Sequence, residues 1–283
     1  MFVNFSKILS LSNEKKALPA FNTINLEITQ AIIEGALKAK SPIIIQVSEN
    51  VVKYAGLKTI YNLVKNQVED NSQDIAMSLH LDHGKDFELV KQCVDIGFPS
   101  VHMDASFLPF EENIKLTREA CEYAHSKGAL CQGELGNILG QEGLIKMQQG
   151  EDISKIMTNP EQIEEFIEST GVDTIAVSIG NVHGFFVAEG GLDITRLKKI
   201  NEKIKLPIVL HGGSGIPEEQ IKEAITYGVR IVNIDTNLRM AFRDGLRESI
   251  NLNADLIDPR KILLPTKLAI LEKVVVMINQ LII

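Results

Sequence analysis

The sequence predicts an α/β fold, a (β/α)8 TIM barrel with a C-terminal helical extension, and three observations carry that expectation. Short runs rich in Ile, Val and Leu alternate eight times with longer stretches of helical period. The strand-like runs are apolar almost throughout, as a parallel sheet covered on both faces requires. Polar residues and glycines gather where each run ends, the rim at which such barrels carry their chemistry. An open doubly wound sheet is the alternative, but it rarely reaches eight regular units without a break in composition.

The elements follow in order. Residues 17–22 (ALPAFN) read as the first strand and 26–40 as its helix; 42–48 (PIIIQVS) and 57–69 form the second pair. The third strand ends at Asp82-His83 and its helix runs to Ile96. Residues 100–105 (SVHMDA) make the fourth strand, followed by a long helix over 110–126 that stops at Gly128, a left-handed cap. Residues 129–136 (ALCQGELG) are the fifth strand, and the Gly- and Gln-rich stretch 137–158 is a loop long enough to be functional. Asn159-Pro160 starts the next helix with proline at its first position. Strand six covers 173–180 and its helix 193–204; strand seven covers 207–213 and its helix 217–227. Strand eight covers 229–236, with a helix from Leu238 to about Ile250. The 283 residues read as one domain, in which 258–283 is a helical tail whose apolar surplus predicts packing on a further surface such as a second subunit.

Composition narrows the function. With 29 Lys and Arg against 37 Asp and Glu, the net charge of -8 excludes a basic nucleic-acid face but not an anionic small molecule held by local donors. Cys93, Cys121 and Cys131 show no CxxC spacing and an odd count, which predicts reduced thiols in a cytoplasmic protein. The N-terminus lacks the apolar core of a signal peptide, and the most apolar run, 274–283, is too short to span a bilayer, so no membrane association is expected.

The stretch SLHLDHGKD, 78–86, organises the chemistry. Alternation puts His80 and Asp82 on one face of the strand, and its relaxation at the strand end lets Asp82 and His83 aim into one site. Taken alone, the pair is as well explained by a helix cap beside a core histidine. The other strand ends decide: Asp104, Glu134, the turn Gly180-Asn181-Val182-His183-Gly184, the turn His211-Gly212-Gly213-Ser214-Gly215, and Asn233 with Asp235-Thr236 all fall at one rim. His83, His183 and His211 approaching one another make a zinc site with an open fourth position, and Asp104 and Glu134 are candidate partners or alternative ligands. His80 and His102 lie within strands and read as core or supporting residues; His125 lies late in a helix. The glycine turns at Gly184 and 212–215, followed by Asp235-Thr236, expose backbone N–H groups suited to a phosphate, although such glycines also serve tight chain reversal alone.

LHLDHG, DAS..PFEEN, ELG...GQE, GNVHG, LHGGSGIP, NIDTN and DPRKIL, in this order, resemble the motif series of the class II, metal-dependent fructose-bisphosphate aldolases and their tagatose-bisphosphate relatives. The resemblance runs from PAFN to the DPR segment. It implies a homodimer or homotetramer with zinc on His83, His183 and His211, and Asp104 and Glu134 at alternative or second metal positions. Asp82 matches the aspartate that handles the proton at the aldehyde and C4 hydroxyl, and Glu142 the mobile glutamate that deprotonates dihydroxyacetone phosphate. Asn233 matches the residue supporting the enediolate. Gly184, Gly212, Ser214, Asp235 and Thr236 match the ketone-side phosphate cradle, with a sodium or potassium ion nearby. Arg260 matches the arginine that reaches the other phosphate, often from the neighbouring subunit, and Asn22 and Ser48 match substrate-lining positions. Two departures stand out: Gly143 follows Glu142 where an acidic residue is usual, and Gln132-Gly133 stands where many members have Glu-Ala.

The expected activity is therefore reversible cleavage of a ketose 1,6-bisphosphate, fructose first and tagatose second, to triose phosphates. A zinc hydrolase and a metal-binding scaffold without catalysis are the rivals.

Overall fold

The computed structural model describes residues 1–71, 75–140, 154, 156–184, 191–252 and 254–283. A short helix α1 (Phe5–Leu9) precedes β1 (Leu18–Asn22). Then come α2 (Leu26–Ala39), β2 (Ile43–Ser48), α3 (Glu49–Ala55), α4 (Leu57–Asn71), β3 (Met77–Gly84) and α5 (Phe87–Ile96). They are followed by β4 (Ser100–Met103), α6 (Phe110–Ser126), β5 (Leu130–Leu135), α7 (Ile163–Thr170), β6 (Thr174–Val177) and α8 (Ile194–Lys203). The chain ends with β7 (Ile208–Leu210), α9 (Glu218–Thr226), β8 (Val229–Ile234), α10 (Thr236–Leu252) and α11 (Pro259–Gln280). All neighbouring strands pair in parallel and β8 returns to β1, Leu18 opposite Ile231, so the sheet closes as the sequence predicts.

Alternation along the strands divides the interior. Outward residues such as Ile43, Ile45, Val47, Leu79 and Leu81 join the helices in the main core. Inward residues make a second, smaller core at the amino end, where Leu18, Ala20, Ile44, Ala176, Val209 and Ile231 meet Val3, Phe5 and Ile8 of the N-terminal segment. Helix α1 thus plugs the bottom, with Phe5 fully buried and stacked on His80 at 5.3 Å between ring centroids. Nearer the other end the inward residues turn polar: Gln46, Ser48, His80, His102, Gln132 and Glu134 are all buried.

The structure differs from the sequence expectation in two places. Strands β4, β6 and β7 are shorter than their apolar runs, because residues 104–105, 178–180 and 211–213 leave the ladder to form the rim. Helices α1 and α3, five and seven residues long, carry too little periodicity to be read. The tail packs on its own chain: α11 lies across α2 and α10, burying Ile270, Val274, Met277 and Ile278. That approach depends on Gly35 of α2, where a Cβ would stand 2.6 Å from Val274 Cγ1. Leu264, Leu268 and Val276 remain 48–51% exposed on the outer face of α11. No helix among the described residues is long and apolar enough to cross a membrane, and all three cysteines are free and buried.

Candidate active site

Asp82 is the inward residue at the end of β3, and two amides from strands across the barrel interior hold it. Asn22 Nδ2 on β1 donates to Oδ2 at 2.7 Å, and Asn233 Nδ2 on β8 reaches Oδ1 at 3.4 Å. Strict alternation would turn the next residue outward. His83 escapes it with φ of 49°, one of two positive-φ non-glycine residues among those described, at a register shift between β3 and β4. The carboxylate of Glu49, at the start of α3, accepts from the N–H groups of Lys85 and Asp86 at 2.6 and 3.1 Å and fixes the turn that follows. The backbone thereby places Asp82 and His83 in one site, as the sequence predicts.

Three further imidazoles surround His83: His183 at 4.7 Å, His211 at 4.5 Å and His102 at 4.9 Å between ring centroids. His183 is fixed through its backbone N–H, which donates to Leu139 O at 2.8 Å. His211 is tied by its carbonyl, which accepts from Asn181 Nδ2 at 3.1 Å, and by its ring, which receives Gln132 Nε2 at 2.9 Å. His83 Nδ1 lies 2.8 Å from Asp104 Oδ2, and Ser106 Oγ donates to the other oxygen of that carboxylate at 2.7 Å.

The charges settle accordingly. Burial holds His211 and His102 neutral, well below the usual imidazole range, and His183 down to about 3; the charge of His83 adds to each effect. Burial also opposes a charge on His83, but the carboxylates of Asp82 and Asp104 outweigh it and push that ring up to about 10. Asp104, despite its burial, is held below the usual carboxylate range by His83. Glu134 is raised to about 8 by burial and then by the charge of Asp104.

This constellation fits a metal ion. His83 Nε2, His102 Nε2 and Glu134 Oε2 are buried without a hydrogen-bond partner. Two donor groups have ligand atoms within 4.8 Å of one another: Asp82, His83, His102 and His211, and His83, His102, Asp104 and Glu134. Nitrogen and carboxylate donors of this kind suit zinc. His183 adjoins the first group through its ring but belongs to neither set of close donor atoms, whereas His102, read from sequence as a core or supporting residue, belongs to both.

Above the imidazoles opens a cleft lined by Asn22, Asp82, His83, His183, Gly184, His211, Gly212, Ser214, Asn233, Asp235 and Thr236. The cradle side is built tightly. Gly212 has φ of 66° and a Cβ there would overlap the Val182 carbonyl oxygen, so the two glycine turns pack backbone against backbone. Ser214 Oγ accepts from the N–H of Asn237 at 3.2 Å, next to the start of α10 at Thr236. Arg239, one helical turn on, bonds Asp235 Oδ1 at 2.7 Å and brings a cation beside the cradle. Sequence reading missed it, although the spacing of Asp235 and Arg239 on a helix was the available signal.

Four predicted residues stand elsewhere. Ser48 is buried at the end of β2, in register with Asp82, but does not line the cleft. Asp104 and Glu134 lie beneath it, buried. Arg260 begins α11, its side chain 90% exposed and bound to Asp258 at 2.9 Å, apart from the cleft of its own chain. Glu142 and Gly143 fall outside the described residues.

Known proteins resemble this chain in sequence and fold. A fructose-bisphosphate aldolase of Geobacillus stearothermophilus is 42% identical over 262 residues, 92% of this chain and 90% of that protein. Among solved structures, the YdjI aldolase of Escherichia coli superposes with a TM-score of 0.82 at 28% identity, covering 99% of this chain and 97% of that one. The fructose-bisphosphate aldolase of Campylobacter jejuni does so with 0.79 at 27%, covering 99% and 95%. The family model for class-II fructose-bisphosphate aldolase matches residues 3–282, the barrel together with its plug and its last helix, and the chain is an aldolase of that family.

Proposed function

We propose that this aldolase cleaves fructose 1,6-bisphosphate reversibly to dihydroxyacetone phosphate and glyceraldehyde 3-phosphate, with zinc on His83, His183 and His211. The observation that carries the reading is the placement of Asp82 between the imidazoles and the backbone cradle, its oxygens turned by Asn22 and Asn233. Zinc, when bound, supplies the Lewis acid that draws electrons from the ketone of the substrate.

The remaining work falls to the side chains. Gly184, Gly212, Ser214, Asp235 and Thr236 seat the ketone-side phosphate, assisted by a sodium or potassium ion. Asp82 takes the C4 hydroxyl proton during cleavage and returns it during condensation, a task suited to a carboxylate with fixed amide partners. Asn233, which also faces the His211 ring at 3.2 Å, can steer its amide toward the developing oxyanion. Glu142 exchanges the proton at the triose carbon. Arg260, exposed and absent from the lining of its own cleft, serves the cleft of a neighbouring copy in a homodimer or homotetramer. Asp104 supports His83, and Asn22 and Ser48 complete the wall. A cytoplasmic location accords with the free cysteines. A zinc hydrolase would have no use for a second phosphate anchor, which favours the aldolase over that rival.

The test is steady-state cleavage of fructose and tagatose 1,6-bisphosphate, each with and without a chelator and with zinc restored. Turnover of the fructose isomer at the higher kcat/KM, abolished by the chelator and recovered with zinc, is expected. Preference for the tagatose isomer would move the substrate assignment to that epimer, and chelator-resistant turnover would overturn the metal assignment.

A further inference from the structure

We propose that Thr158 is a positioning residue for the zinc centre, because it joins the two chain segments, 135–139 and 178–183, that meet at His183. The inference rests on the reading of His183 as a zinc ligand, and its test tells the failure of one from the failure of the other.

Strands β5 and β6 pair as far as Leu135 opposite Val177. Beyond that point Thr158, fully buried, bonds to both segments. Its hydroxyl donates to Leu135 O and accepts from the N–H of Ser178 at 2.8 Å, and its own N–H donates to Ser178 O at 2.9 Å. One side chain thus satisfies an acceptor and a donor that the ladder leaves at its end. Gly136 permits the close approach: its φ is 82°, and a Cβ there would stand 2.5 Å from Thr158 N. Arg196 of α8 holds Thr158 in turn, its Nη1 donating to the Thr158 carbonyl at 2.7 Å.

The same two segments carry the tie to His183. Ser178 Oγ donates to Asn137 O at 2.9 Å, and the N–H of Asn137 donates to Ile156 O at 2.7 Å. Two residues further, Leu139 O accepts the N–H of His183 at 2.8 Å. The rings of His83 and His211 are held by Asp104 and Gln132, whereas the bond that fixes His183 comes from its backbone. Its ring also lies outside the sets of donor atoms that approach within 4.8 Å of one another, so it has to come closer to share an ion with the other two. How far it comes is set by the main chain, and both lengths of main chain hang on Thr158. A threonine that served packing alone would be replaced by valine, which has the same shape, at a cost in stability only. Here the replacement would leave Leu135 O and Ser178 N without the hydroxyl and let the two segments part.

The experiment compares zinc-loaded wild type with Thr158→Val, Thr158→Ser, Ser178→Ala and Phe5→Ala at a temperature where the proteins are folded. It reads the half-time of zinc loss to a chelator and the visible spectrum after substitution by cobalt(II). Thr158→Val should lose zinc ~10-fold faster and show a shifted cobalt spectrum, since groups that orient a ligand govern metal affinity by such factors. Thr158→Ser keeps the hydroxyl and should match wild type in both. Phe5→Ala lowers stability away from the cleft and should leave both readouts unchanged, which separates positioning from a loss of stability. Ser178→Ala cuts only the bond to Asn137 and should also speed zinc loss, so it replaces the valine variant if that one does not fold. Wild-type behaviour of Thr158→Val, or of Ser178→Ala in its place, would overturn the inference and leave the zinc assignment standing. Equal acceleration in Phe5→Ala would do the same. Wild type that binds neither metal would overturn that assignment and the inference with it.

Discussion

Gln132 Nε2 stands 2.9 Å from His211 Nε2 inside the barrel, and the other edge of the same imidazole faces Asp82, with Nδ1 3.9 Å from Oδ1. If His211 gives Nδ1 to a metal, its Nε2 carries a proton, and the Gln132 carboxamide must turn its oxygen to receive it. A neutral amide orients the ring without adding the negative charge that a carboxylate would. Gln132→Leu should therefore shorten the half-time of inactivation in a chelator by ~10- to 100-fold, and Gln132→Glu should lengthen it. Equal half-times in all three proteins would show that Gln132 does not govern His211.

The two proton carriers can be separated by isotope exchange. Glu142→Ala should abolish exchange of the triose proton of dihydroxyacetone phosphate with solvent, even without an aldehyde present. Asp82→Ala should impair cleavage by ~10²- to 10⁴-fold yet leave part of that exchange. Deuterium wash-in at saturating zinc reads both, and the opposite pattern would exchange the roles.

Arg260 bonds the neighbouring carboxylate of Asp258 and is 90% exposed to solvent. Arg260→Ala should raise KM for the bisphosphate by ~10- to 100-fold, the loss of a charge-assisted contact of about 1.5–3 kcal/mol. Stability should hardly change, because an exposed ion pair contributes little. Mixing Arg260→Ala with Asp82→Ala protein would test service across an interface: one intact cleft per mixed pair should restore turnover at the wild-type KM. No recovery after subunit exchange would place Arg260 in its own cleft or outside the reaction.

The plug makes a prediction about stability. Phe5 is buried against His80 and the lower barrel layer, so Phe5→Ala should cost about 3–5 kcal/mol and lower Tm. At temperatures where the variant remains folded, KM should match wild type, since Phe5 is absent from the cleft. Thermal unfolding and kinetics on the same preparation check both halves.

Much of this architecture is legible in the sequence, because strand and helix periods differ and glycines punctuate the rim. Asp82, His83, His183 and His211 announce themselves by position: each follows an apolar run at its carboxyl end. His102 and Gln132 do not, because an inward residue in mid-strand reads like core until strand tilt decides how near the mouth it lies. The positive φ of His83 is equally invisible, since the residue is not glycine and the bend arises from pairing with β4. Helix α3 escaped for a different reason. Its seven residues are too few to show a period, yet its Glu49 secures the turn after β3.

The closure of β8 on β1 also bears on how the protein is made. The first strand leaves the ribosome well before its partner Ile231 and before the Leu281 carbonyl that receives the Ala17 N–H. Until then β1 has an open edge, and the apolar faces of Leu18 and Ala20 lack the residues of β7 and β8 that later cover them. Half-barrels of nascent chain are thus open to aggregation while the strands between β1 and β8 are being made, and contacts between distant parts of the chain set the pace of the last step. A chaperone that shields strand edges should raise the yield of this protein more during synthesis than during refolding of the finished chain.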